Sequence, residues 1–145
     1  MGLIQFLMRI LVGGIFVYSG WSKLMVPVEN FMAVIEGYQF LRPHAIELLA
    51  TWLPWTELVF GAFLLLGFLT RASAAILGIF LAVFIYLISR SLWLHLPVSE
   101  CGCFGSGIAL APWQALMLDS GLLLASIVLI IRPPQLWSLD RRLRK

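Results

Sequence analysis

The chain has 145 residues, of which 61% are hydrophobic and only 12% charged, with a formal net charge of +3. A domain near 150 residues hides only about 70% of the surface its unfolded chain exposes, so a water-soluble fold has no place for this much apolar surface. Composition therefore excludes an ordinary soluble enzyme, a disordered chain and a nucleic-acid binder.

Bilayer-spanning helices need about 20 apolar residues each, and four of them would use most of the apolar side chains. The expected fold is all-α: a polytopic membrane four-helix bundle, a single domain over 1–145, with one short amphipathic surface helix. Five of the ten basic residues are Arg132, Arg141, Arg142, Arg144 and Lys145, all after the last apolar run. A basic tail beside a membrane span is a topology signal and a contact for anionic lipid. It is too short to read a nucleic-acid groove.

The first span covers 3–24. It lacks a basic n-region, contains Arg9, and ends in Gly20-Trp21-Ser22-Lys23, a poor cleavage site, so it is a span and not a signal peptide. Phe6 stands where a myristoylation motif needs Ser or Thr. In the segment 28–40, Phe31, Val34, Ile35 and Tyr38 recur at helical spacing, with Glu29, Asn30, Glu36 and Gln39 on other faces. That pattern predicts an amphipathic helix, too short and polar to span, lying on the membrane surface and ended by Pro43. The second span covers 46–69, with Pro54 inside it to remove one hydrogen bond and kink it. Thr70-Arg71 forms a minimal turn, and the third span covers 72–96. A loop over 97–111 leads to Pro112, which suits the first turn of a fourth span over 112–131. The basic tail is 132–145.

The positive-inside rule places both termini and the Arg71 turn in the cytoplasm, with Lys23 and Arg42 on the opposite flank. Trp21, Trp52, Trp93 and Trp113 then form an outer aromatic belt, with Trp137 at the inner face. The 97–111 loop falls outside the cytoplasm, where disulfides persist.

That loop carries the only two cysteines, Cys101 and Cys103, separated by Gly102. A disulfide between them closes a small ring, which Gly102 eases through its backbone freedom. Such a ring departs from relaxed geometry, and strained disulfides are more readily reduced. The pair suits redox cycling better than stapling, because a staple acts by closing a long loop. Two alternatives stand beside this: inert loop residues, or a metal site with His95. For a metal, two thiols and one imidazole at irregular spacing are a weak pattern.

Arg9, Glu57, Arg90 and Asp119 lie inside spans, where charge is costly and must face the bundle interior and find a partner. Arg9, Gly13, Gly20 and Lys23 share one helical face, whose glycines let another helix come close. Glu57 falls near the bilayer middle. At 1.5 Å per residue, Arg9 and Glu57 lie about 9 and about 18 Å from the same end, which an Arg side chain nearly bridges. Asp119 and Arg90 form a second pair by the same arithmetic. These groups either specify helix register or line a polar cavity under the cysteine loop. In the second case Glu57 and Asp119 handle protons, and Arg9, Lys23 and Arg90 line a site that a quinone head group could enter. A proton acceptor has a use there, since the thiolate is the reactive form of cysteine. Glu57 is the group whose ionisation its surroundings should perturb most. His44 and His95 are interfacial residues.

The sequence resembles the DoxX-like and MauE-like membrane proteins. The resemblance rests on Ser19-Gly20-Trp21-Ser22-Lys23-Leu24, Gly37-Tyr38, Leu53-Pro54-Trp55-Thr56-Glu57-Leu58 with Gly61, and Leu66-Gly67. Cys101-Gly102-Cys103-Phe104-Gly105, followed by Trp113 and Asp119, is similar to the MauE branch in particular. It extends over about residues 5–131. It implies a redox-associated protein of a bacterial inner membrane, linked to quinone or to maturation of a disulfide-rich methylamine dehydrogenase subunit. The implied partner is an oxidoreductase or another disulfide-containing protein outside the cytoplasm. Disulfide-generating four-helix enzymes use two cysteine pairs, the first a Cys-x-x-Cys, and this chain has one pair with a shorter spacer. Either Cys101 and Cys103 exchange directly with a partner, or a second protein supplies the missing pair. The competing expectation is a non-catalytic anchor or assembly subunit of an oxidoreductase complex. A transporter has little support without an inverted repeat or paired discontinuous helices.

Overall fold

The structure, a computed structural model, describes residues 2–39, 41–95 and 111–132. It contains five helices among these residues: α1 (Gly2–Leu24), α2 (Val28–Gly37), α3 (Pro43–Leu66), α4 (Thr70–Trp93) and α5 (Pro112–Ile131). Four of them, all but α2, are long and apolar enough to cross a membrane. The described residues contain no strand, and the all-α, four-span architecture with a short amphipathic helix between spans one and two is the one observed.

Helix boundaries differ from expectation by one to three residues, and at the junctions on either side of α3 the local reason is visible. Pro43 opens α3 instead of closing α2, because a helix's first position has no backbone donor to lose. The α2 helix ends at Gly37, and Gln39 then turns the chain with φ 49°. At the other end of α3, Gly67 takes the left-handed conformation, φ 69° and ψ 32°. Its N–H donates to Leu64 O at 3.2 Å, and the Phe68 N–H donates to Phe63 O at 2.9 Å. This double closure caps the helix, so the turn is residues 67–69 and α4 begins at Thr70, two residues earlier than expected. Pro54 lies within α3 without ending it. The Thr56 hydroxyl donates to Leu53 O at 2.8 Å and Trp52 O at 3.2 Å beside it, as polar side chains often do around a membrane proline.

The spans form a ring in which α1 packs on α3, α3 on α4, α4 on α5 and α5 on α1, the α1–α3 and α4–α5 contacts being the most extensive. Val12, Phe16, Leu64, Leu77, Leu81, Leu122 and Leu129 fill the centre. Outward-facing positions such as Leu3, Leu7, Leu11, Ile79, Val83 and Leu124 are large, apolar and exposed, as a lipid-facing surface requires. Gly20 fixes the α1–α3 register: a Cβ there would lie 2.7 Å from Pro54 O and 2.8 Å from Leu58 N. Gly13 meets Gly61 and Leu65 in the same way two turns along. Ser19 is thus level with Glu57, and the end of α1 is level with Trp52, so the first turns of α3 continue beyond α1. Trp21, Trp52, Trp55, Trp93 and Trp113 are all exposed and cluster towards this end of the bundle. Trp137 lies outside the described residues.

The apolar stripe of α2 is turned onto the bundle. Phe31 and Tyr38 are buried, and Glu29, Asn30, Glu36 and Gln39 are exposed. Tyr38 packs with Leu87, Ile88 and Ala115 in a second apolar cluster. The helix caps the end of the bundle at which α1 stops and α3 begins.

The register gives a direct test. Gly20→Ala forces a methyl group into the α3 backbone and should cost about 1–3 kcal/mol, the usual range for overpacking. Gly14→Ala meets nothing within 4 Å and should be neutral or slightly stabilising, since Ala is the better helix former. Unfolding of the two variants by titrated detergent measures the difference.

A candidate polar site under helix α2

The last turn and a half of α1 carries Ser19 and Lys23 four residues apart, hence on one face. That face meets α3 at Glu57. The Lys23 ammonium donates to both Glu57 carboxylate oxygens, Oε1 and Oε2, at 2.8 Å each. The Ser19 hydroxyl donates to Oε2 at 3.0 Å. Both charged groups are sealed off, with 0% and 1% of their side-chain surfaces exposed. Two aromatic rings flank the ammonium: the Phe31 centroid of α2 at 5.0 Å and the Phe84 centroid of α4 at 5.4 Å. A ring face attracts a cation, more strongly when the cation is desolvated. One ammonium therefore ties together α1, α2, α3 and α4.

Asp119 of α5 is 2% exposed. It lines a cavity of about 20 Å³ together with Ser19, Glu57, Ile15, Leu81, Phe84 and others, so all four spans contribute. A space of that size holds one water molecule. It has no room for a quinone ring.

Arg90 is engaged with α2: its Nη1 donates to the Tyr38 carbonyl at 3.1 Å. The short helix is consequently held at both ends by cations, Lys23 against Phe31 and Arg90 at Tyr38.

Arg9 is buried, with its guanidinium 5.1 Å from the Phe6 ring centroid. It is not the ion-pair partner of Glu57; Lys23 is. The expected proximity assumed helices with flush ends. In the observed register Arg9 is level with the Gly67 turn, ten residues and about 15 Å from the level of Glu57. The same register puts Glu57 one turn from the end of α1 and not midway along it.

His44 and His95 are both exposed. Cys101 and Cys103 lie outside the described residues. In the sequence they fall between α4 and α5, whose facing ends, Trp93 and Pro112, are at the end of the bundle where α2 lies. Sequence reasoning missed Ser19, Phe31 and Phe84 as parts of the site. The four-residue step from Ser19 to Lys23 was a signal for the first. Phe31 was legible only as part of an apolar stripe, and Phe84 as one more core residue.

The fold and this site define a small multi-pass membrane protein organised around a buried charge cluster. No curated protein and no solved structure matches the chain. The family model described as methylamine utilisation protein MauE matches residues 1–132. The chain belongs to that family, which is the MauE side of the resemblance drawn from its motifs.

The ion pair makes a sharp energetic prediction. Removing one partner leaves an uncompensated buried charge, a loss of about 3–5 kcal/mol. Lys23→Met and Glu57→Gln should each destabilise the bundle on that scale, and the double variant should recover most of the loss. A double-mutant cycle by reversible unfolding in mixed micelles gives the coupling energy.

Proposed function

We propose that this protein is a membrane accessory of a redox system, in which Cys101 and Cys103 exchange disulfides with a partner outside the cytoplasm during maturation of an oxidoreductase. The observation that carries the reading is Cys101-Gly102-Cys103 as the only cysteines, in a chain of the methylamine utilisation MauE family. In the exchange, one thiolate of the pair attacks a partner disulfide and the other resolves the mixed disulfide. The pair loses two electrons and two protons, and the partner disulfide becomes a dithiol; the reverse direction uses the same steps.

Asp119 and Glu57 are the proton-handling groups in this reading, and Lys23 and Arg90 hold the polar interior and its α2 cover in place. Arg9 lines the opposite end. A quinone link passes through the partner and not through the cavity among the four spans, which is too small for the ring. The chain sits in the inner membrane of a bacterium as one domain, with both termini cytoplasmic and the cysteine segment outside, as the basic residues favour.

A second reading has its own observation. Lys23 and Glu57 satisfy each other and pin α2, so the polar cluster suits an assembly subunit whose α2 end docks a partner without chemistry.

Two measurements separate them. Membrane-impermeant maleimide applied to intact cells or spheroplasts should label reduced Cys101 and Cys103 from the outer face. Labelling only after the membrane is opened would reverse the topology and remove the exchange site from its partner. The double variant Cys101→Ser with Cys103→Ser should abolish formation of the partner's disulfides while leaving the protein in the membrane. Full partner maturation with both serines would leave the assembly role in its place.

A further inference from the structure

The Glu57 carboxylate has about four lone-pair sites. Lys23 takes one on each oxygen and Ser19 takes a second on Oε2. The described contacts thus leave one acceptor site on Oε1. Next to this carboxylate lies the cavity of about 20 Å³, whose polar lining residues are Glu57, Ser19 and Asp119. All three are at most 3% exposed. A buried water needs two to four polar partners and roughly this space, and here both requirements meet in one place. The remaining lining is apolar, Ile15, Phe16, Leu81, Phe84 and Leu122, which gives a water no other position to occupy.

We propose that the cavity is a single-water site that joins Glu57 of α3 to Asp119 of α5 in one hydrogen-bonded proton path across the bundle. The water donates to the remaining Glu57 site and meets Asp119 on its other side. A proton held on Asp119 passes to the water as one of the water's own protons passes to Glu57. One O–H bond breaks and one forms at the water oxygen, the water is regenerated, and no electrons move. Lys23 stays a fixed cation beside the receiving carboxylate throughout. The path is open because two helices that do not adjoin in the ring, α3 and α5, each place one acidic residue in the lining of the same small space. The inference stands apart from the redox reading, since the water is present or absent whatever the cysteines do.

The test is proton-detected solid-state NMR of the full chain, isotope-labelled, in lipid bilayers. A single slowly exchanging water resonance should give cross-peaks to both Glu57 Cδ and Asp119 Cγ. Substituting Asp119→Leu, which keeps the side-chain size and removes one partner, should abolish the water cross-peak at Glu57. Ser120→Ala, whose hydroxyl is donated to Leu116 O outside the cavity lining, should leave both cross-peaks unchanged. The wild-type spectrum decides without any variant: no water cross-peak, or one to only a single carboxyl, overturns the proposal. A cross-peak at Glu57 that survives Asp119→Leu assigns the water to the ion pair alone and overturns the bridge.

Discussion

The contact between Lys23 and Glu57 is the constraint around which the rest of the molecule is arranged. Neither charge is tolerable alone in an apolar bundle, since an unpaired buried charge costs several kcal/mol. Together they require α1 and α3 to approach closely enough for 2.8 Å hydrogen bonds to both carboxylate oxygens. Gly20 supplies that approach, because its missing Cβ lets the α1 backbone rest on Pro54 and Leu58, on either side of Glu57. Ser19 lies at the level of the carboxylate, and Lys23 reaches back to it from one turn further on. The glycine, the hydroxyl and the ammonium are three consequences of one face of α1 meeting one carboxylate.

Helix α2 depends on the same cation. A helix of 10 residues is too short to be stable in water by itself. Its order comes from tertiary contacts: Phe31 on the Lys23 ammonium, Tyr38 in the Leu87–Ile88–Ala115 cluster, and the Tyr38 carbonyl on Arg90. Phe31 in turn excludes solvent from the ion pair. The arrangement is reciprocal, with the cation ordering the helix and the helix keeping the cation dry.

The four spans were legible in the sequence because the signal was long and redundant. About 20 apolar residues between polar breaks leave few alternatives, and the last span, 112–131, coincides with α5. Boundaries failed where one residue type has two meanings. Proline both stops a helix and starts one, and Pro43 did the second. The charged residues were legible as a set, since charge inside a span must be buried and paired. The partner of Glu57 was not. Depth counted from each helix's own end assumes flush helices, and α3 is displaced along α1 by the Gly20–Pro54 contact. A shift of a few residues exchanges Arg9 for Lys23 as the nearest cation. Phe84 could not be singled out, since ring-on-cation contacts carry no sequence period distinct from ordinary core packing.

The site divides into two unlike halves, and the division bears on what it can do. Lys23, Ser19 and Glu57 are mutually satisfied, so this half behaves as a fixed ion pair whose charges are already committed to each other. Such a unit holds position and sets the local field, and in the proposed path a proton arriving at the remaining Oε1 site leaves both Lys23 hydrogen bonds in place. Asp119 stands on a different helix, across the cavity, seven residues and about 10 Å below the start of α5. In the sequence the cysteine segment precedes that start. In the proposed path the proton reaches Glu57 from Asp119 through the single water. In that proposed path the fixed pair is the electrostatic backing of the movable proton, and the two carboxylates have different tasks although composition alone would treat them alike.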